Sequence, residues 1–211
     1  MKLLLLISGG IDSPVAGALA LKSKHSLSAI HFHNHPFTDS ANKEKAISAV
    51  EILVRKFKKP INLYIINHGR SLVEIAKNCD RKLNCVLCRR MMLRVSEKIA
   101  ELENCSALLT GESLAQVASQ TLWNLQAEHS ATRMQIVRPL LGLDKLEIER
   151  LGRSFGTFDN SIRPALCCNI VPSQPSTHSR IEQVEAEEKK MNLQEIVQNS
   201  LNSKELLQIK P

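Results

Sequence analysis

The chain has 211 residues, enough for one well-buried core with at most a small appendage, and its 43% hydrophobic and 23% charged content is that of a globular protein. Aromatic residues make up only 3%, which argues against a stacking platform for single-stranded nucleic acid, and the longest apolar run, Leu3 to Ile7, is too short to span a bilayer. The net charge is +7; residues 178–211 hold five Lys/Arg and six Asp/Glu, so residues 1–177 carry +8, a balance suited to a polyanion such as RNA.

KLLLLIS, starting at the second residue and ended by Gly9 and Gly10, reads as a buried strand. The next residues, DSPVAGALALKS, read as a helix that Ser13 or Asp12 caps and for which Pro14 suits the first turn. SAIHFHNH is a second strand, ANKEKAISAVEILVRKF a second helix with Ala46, Val50, Leu53 and Val54 on one face, and INLYIINH a third strand. Residues 87–102 form a further helix, SALLTG a strand closed by glycine, QIVRPLLG another strand, and DKLEIERLGRSF a helix stopped by Gly156. Polar, charged helices follow LCCNIVPSQPST and wrap the outside. Strands alternating with helices of this length predict an α/β fold with a doubly wound parallel sheet. The expected division is residues 1–177 as the main domain and residues 178–211 as a helical extension packed on it. Gly9, Gly10 and Asp12 interrupt the only early apolar run, so no secretory signal is read and a cytoplasmic, membrane-free protein is expected.

In such sheets ligands bind beyond the carboxyl ends of the strands. The loop ISGGIDS sits there: its glycines let an anion approach backbone N–H groups, Ser8 and Ser13 add hydroxyls, and a helix N-terminus follows. It has neither the dinucleotide glycine pattern nor the lysine ending of the ATPase P-loop. SGGIDS resembles the SGGxDS signature of the PP-loop ATP pyrophosphatases, which split ATP between its α and β phosphates and transfer AMP to a substrate oxygen. That resemblance makes Ser8, Gly9, Gly10 and Ser13 the pyrophosphate loop and Asp12 the carboxylate beside the phosphates or their Mg²⁺.

The segment CRRMMLRVSEKIAELENCSALLTGESLAQVASQTLWNL, with RPLLGLDKLEIERLGRSFGTFDNSI and the late LCCNIVPSQPST, resembles the tRNA 4-thiouridine synthase (ThiI) family over roughly residues 1–190. The resemblance implies ATP contacts from Leu6, Ile7, Arg89, Gly111 and Gln120, with Glu112 and Ser113 as candidates to hold substrate or metal. It implies a reaction in which the O4 of uridine 8 in tRNA attacks the ATP α-phosphate, after which sulfur displaces AMP at C4. Bacterial members carry sulfur on a rhodanese-like extension and have an N-terminal RNA-binding region with a THUMP module. The present sequence shows neither, so the expected partners are tRNA, a separate THUMP-type protein, a sulfide or persulfide donor, and a second copy of the chain.

Six cysteines in a cytoplasmic protein argue for metal or redox chemistry. Cys85 and Cys88, followed by Arg89 and Arg90, match the C-x-x-C-R-R of archaeal-type members, and the family's late cysteine falls on Cys168, with Cys167 as the adjacent alternative. In those members two such cysteines and the late one are thought to hold an iron–sulfur cluster, so the resemblance implies Cys85, Cys88 and Cys168 as ligands of a 3Fe-4S or 4Fe-4S centre. An open corner of such a cluster would have room for a hydrosulfide. Arg89 and Arg90 are expected to keep these sulfurs anionic. Persulfide or disulfide chemistry and structural zinc with His178 as fourth ligand stand as alternatives. Cys79 reads as a free thiol and Cys105 as a packed residue. His31, His33 and His35 alternate along one strand face, either as a metal set or as strand-end residues beside the adenine pocket. The rival functions are thiolation of another tRNA uridine or of a small molecule, and a non-catalytic nucleotide- or RNA-binding subunit.

Overall fold

A computed structural model describes residues 1–114, 120–166 and 168–211. In chain order the elements are β1 (Lys2–Leu6), α1 (Asp12–Lys22), β2 (Ser26–His33), α2 (Ala41–Phe57), β3 (Ile61–Asn67), α3 (Gly69–Asn78) and α4 (Asn84–Leu102). They continue with β4 (Ala107–Leu109), α5 (Leu122–His129), β5 (Ile136–Val137), α6 (Lys145–Phe155), α7 (Phe158–Ser161), α8 (Ile181–Glu188), α9 (Leu193–Asn202) and β6 (Glu205–Ile209). The strands form one sheet in the order β5-β4-β1-β2-β3-β6, parallel except for β6, which runs antiparallel to β3.

A strand covered on both faces needs an unbroken apolar run, and KLLLL supplies it. Leu3 and Leu5 enter a core with Val15, Ala18, Val50, Leu53 and Ile148, from α1, α2 and α6. Leu4 points to the opposite core with Leu93, Val95 and Ile99 of α4, joined by Val197 and Leu201 of α9. The chain therefore crosses on one face from β1 to β3 and on the other from β3 to β4, which lies on the far side of β1. That reversal leaves a crevice at the carboxyl ends of β1 and β4, where α/β sheets take their ligands.

Several boundaries differ from expectation, each for a physical reason. Asp12 and Ser13 lie inside α1 and neither caps it: Ile11 holds the N-cap position without a side-chain hydrogen bond. α4 begins at Asn84, so Cys85 and Cys88 stand in its first turns. The expected QIVRPLLG strand is reduced to Ile136–Val137, because Pro139 has no N–H to continue the ladder. α6 starts with a capping box between Asp144 and Glu147 and ends, as expected, at left-handed Gly156.

Residues 178–211 contribute, beside α8 and α9, a strand to the central sheet, with Ile61 opposite Ile209. α8 is tied to α4 through fully buried Arg90, which donates to both carboxylate oxygens of Glu188 at 2.6 and 2.9 Å and to Ser130 Oγ. At the opposite end of the sheet from the crevice, the Glu103 carboxylate accepts from Lys2 Nζ at 2.7 Å, Ser28 Oγ at 2.7 Å, Asn62 Nδ2 and Tyr64 Oη. No helix is long and apolar enough to cross a membrane among the described residues.

Candidate active site

β1 delivers its loop into the crevice, and the loop closes on itself. Ser8 N–H donates to Ser13 Oγ at 2.8 Å, the two hydroxyls are 3.0 Å apart, and Gly10 N–H reaches Ser8 Oγ at 3.3 Å. A Cβ on Gly10 would meet only Ser8 Oγ, so this backbone faces open space where an anion can approach. Gly111, just after β4, lines the cavity and also packs against the loop. A Cβ there would lie 2.5 Å from Ser13 N and 2.6 Å from the Asp12 carbonyl carbon, so the bare glycine lets β4 dock against the start of α1. Burial raises the Asp12 carboxyl above its usual value, with Lys145 opposing the shift.

The crevice is a cavity of about 460 Å³. Leu6, Ile7, Ser8, Gly9, Gly10, Asp12 and Ser13 line it from the β1 side, Arg89 from α4, and Gly111 and Gln120 from the β4 side. Cys85 and Cys88 reach it from the first turns of α4, and Cys168 from the segment before α8. The structure therefore brings the residues expected to contact nucleotide and the three expected cluster cysteines to one cavity. Cys167 and residues 115–119 of the TGESLAQVASQT stretch lie outside the described residues. Two other cavities, about 870 and 1020 Å³, hold none of these groups.

The electrostatics depart from expectation at the arginine pair. Consecutive helical residues point about 100° apart, so only Arg89 faces the cavity; Arg90 turns into the Glu188 pair and cannot serve the thiols. Arg89 is held by Glu112 at 2.9 Å, and the same carboxylate takes Arg138 Nε at 2.5 Å and Thr110 Oγ1 at 2.9 Å. Glu112 is thus engaged as an anchor for two guanidinium groups, and Ser113 is fully buried away from the lining. Beneath them burial, partly offset by Arg89, pushes Glu128 up to about 8.

Of the histidines on or behind the wall, His31 was singled out in the sequence and His68 was not. His31 accompanies Phe32 into the cavity while His33 and His35 face another, so the three histidines do not form a set. His31 Nδ1 lies 3.0 Å from Ile7 O and burial lowers its pKa to about 4, which leaves a neutral ring. His68, wholly buried and likewise lowered to about 4, places Nε2 3.3 Å from Cys88 Sγ. His68 has no sequence signal beyond its type, because tertiary packing creates its contact with Cys88.

The cysteines limit which metal group the crevice can take. All five described ones are free thiols. Burial raises the Cys85 and Cys88 thiols, and Cys168 lies close enough to both to raise them further. Among the described residues no three His, Cys, Asp or Glu side chains are gathered to hold a single metal ion. A tetrahedral zinc needs its sulfurs within about 4 Å of one another, and His178, its suggested fourth ligand, stacks instead on Trp123 at 4.2 Å. Three cysteines lining one cavity supply thiolates of the kind that an iron–sulfur cluster takes as ligands.

Comparison with known proteins gives this arrangement a lineage. Residues 1–193 match the family described as thiamine biosynthesis protein (ThiI). The chain belongs to the ThiI family. A probable tRNA sulfurtransferase of Moorella thermoacetica is 41% identical over 210 residues, covering 99% of this chain and 54% of that protein. The chain thus spans about half the length of the curated relatives it matches. A 4-thiouridine synthetase, solved as an RNA complex with bound ATP, superimposes with a TM-score of 0.95 at 36% identity, over 99% of this chain and 55% of that one. A U34-tRNA thiolase from Methanococcus maripaludis, solved with its [4Fe-4S] cluster, matches with a TM-score of 0.50 at 17% identity, a likeness of fold alone. The α/β fold with its mostly parallel sheet is that of the PP-loop ATP pyrophosphatases.

Proposed function

We propose that this chain is the ATP-dependent thiolation unit of a cytoplasmic tRNA sulfurtransferase that makes 4-thiouridine at position 8. The observation that carries the reading is that the phosphate-binding loop and three cysteine sulfurs line the same cavity. Family membership and the likeness to a synthetase solved with RNA and ATP support it.

In this reading the Ser8–Ser13 loop and the N-terminus of α1 receive the β and γ phosphates, and Asp12 holds Mg²⁺ against them. Arg89, fixed by Glu112, reaches a phosphate oxygen with its planar fork. Leu6, Ile7, Gly111 and Gln120 complete the nucleotide seat. The uridine O4 attacks the α-phosphorus; the bond to the bridging oxygen breaks and pyrophosphate leaves. Sulfur then adds at C4, the C4–O bond breaks, and AMP departs with the oxygen. The protein contributes position and stabilisation of phosphoryl charge. Cys85, Cys88 and Cys168 would hold an iron–sulfur cluster, which would supply sulfur chemistry in the same cavity. Residues 1–177 form the catalytic domain, and residues 178–211 brace it. Sulfide or a persulfide is the sulfur source, and a second copy of the chain with a THUMP-type RNA-binding unit completes the tRNA site.

The test is anaerobic incubation of the iron-loaded protein with unmodified tRNA, ATP, Mg²⁺ and sulfide, followed by nucleoside mass spectrometry and pyrophosphate assay. Equal amounts of 4-thiouridine and pyrophosphate are expected. Thiolation that proceeds without ATP, or pyrophosphate release with no thiolated nucleoside, would sink the reading.

A further inference from the structure

His68 has no place in the nucleotide seat or in the set of sulfur ligands, yet the fold fixes it more firmly than most of either. It is fully buried at the junction of β3 and α3. Its backbone N–H donates to His33 O at 2.8 Å, which extends the β2–β3 pairing, and its carbonyl accepts from Leu72 N–H as α3 begins. The next residue is necessarily glycine: a Cβ on Gly69 would lie 1.8 Å from His35 O. The ring meets Phe32 edge-on, with centroids 5.3 Å apart at 71°. Phe32, Leu72 and Cys88 line the cavity, and His68 stands directly behind them.

The polar atoms of the ring are then limited. Nδ1 has no hydrogen-bond partner among the described residues, and the partner recorded for Nε2 is Cys88 Sγ at 3.3 Å. If the sulfur keeps its proton and donates it to Nε2, the imidazole proton sits on Nδ1, buried with nothing to receive it. A buried donor without an acceptor is costly and rare, more so than an acceptor without a donor. With its N–H on Nε2 the ring donates to the sulfur, and only a bare lone pair remains at Nδ1. The arrangement that leaves no ring donor buried and unpaired is the one with the N–H on Nε2, aimed at Cys88 Sγ.

We propose that His68 is a positioning residue that donates an Nε2–H···S hydrogen bond to Cys88 when that sulfur ligates the cluster. Such a bond draws electron density from the sulfur, which raises the cluster's reduction potential and slows loss of the ligand. The inference deepens the cluster reading above and rests on it.

The test compares the reconstituted wild type with His68→Phe, which keeps a flat ring but no donor, and His68→Gln, whose side-chain amide can return an N–H near the Nε2 position. The readouts are iron and acid-labile sulfide content, midpoint potential by EPR-monitored titration, and the rate of cluster loss to a chelator. His68→Phe is expected to shift the potential to more negative values and to lose its cluster several-fold faster, with His68→Gln returning toward the wild type. A fully loaded His68→Phe protein with wild-type potential and chelator kinetics would overturn the proposal while leaving the cluster reading intact. A wild type that takes up neither iron nor sulfide would overturn both. Should His68→Phe not fold, ¹⁵N-histidine ENDOR on the reduced wild type decides. A weak coupling from one hydrogen-bonded nitrogen supports the proposal; no coupling, or one large enough for direct iron ligation, refutes it.

Discussion

Single side chains set the chemistry of this crevice, and two of them give sharp tests. Asp12 sits half-buried at the start of α1 with its carboxyl raised by desolvation, a state that a bound cation would reverse. Asp12→Asn is expected to lower ATP-dependent thiolation by about 100-fold or more, the scale on which a lost charge-stabilising group acts, with thermal stability near the wild type. Turnover within a few-fold of wild type would remove Asp12 from the mechanism. Gly111→Ala is the contrasting case, because the new methyl strikes the backbone of Asp12 and Ser13 and not a yielding side chain. Forced overpacking of this kind costs about 1–3 kcal/mol. Urea denaturation should show that loss together with weakened ATP binding, and an unchanged affinity would mean that the loop does not seat the phosphates. Legibility at this scale followed contiguity in the chain. SGGIDS could be read because its residues are consecutive, whereas His68 acquires meaning only from Cys88, 20 positions away.

The elements carry these residues by a few specific attachments. α4 is the most important, since its first turns hold Cys85, Cys88 and Arg89 while its next residue, Arg90, is locked into α8. Arg90→Ala would leave Glu188 buried with Arg94 as its remaining cation, at 2.8 Å. Stranding one member of a buried pair costs about 3–5 kcal/mol, and denaturant unfolding should register a loss of that size. The double change Arg90→Met with Glu188→Leu should recover most of it; failure to recover would mean that the pair acts through more than its charges. The central helices and β1–β3 were plain in the sequence because long apolar periods announce them. β6 was hidden, since ELLQI is a short edge strand with one covered face and follows two polar helices. β5 was overestimated for the opposite reason: its apolar run continues past the point where Pro139 ends the pairing.

At the scale of the whole molecule, the sheet has a reactive end and a structural end. Glu103 governs the latter. Its carboxyl is held at about 2, against an ordinary 4.5, by hydrogen bonds from Lys2, Tyr64, Ser28 and Asn62 that outweigh its burial. Because the folded pKa is depressed, the contribution is fully present above about pH 4.5 and is lost as pH falls through 4.5 towards 2. A shift of that size corresponds to about 3 kcal/mol. Unfolding free energy measured from pH 6 to pH 3 should fall accordingly in the wild type, and Glu103→Gln should flatten that slope while lowering the neutral-pH plateau. Parallel slopes in the two proteins would refute the assignment.

The antiparallel turn of β6 has a consequence for handling the chain. Because β6 runs back along β3, Ile209 pairs with Ile61 at the start of that strand, in the neighbourhood of the row where Lys2 pairs with Ser26. Residues 2 and 209 therefore lie at the same rim of the sheet, three strand spacings or roughly 14 Å apart, and both point away from the crevice. A linker of about five residues would span them, so a link made at this rim leaves the mouth of the cavity open.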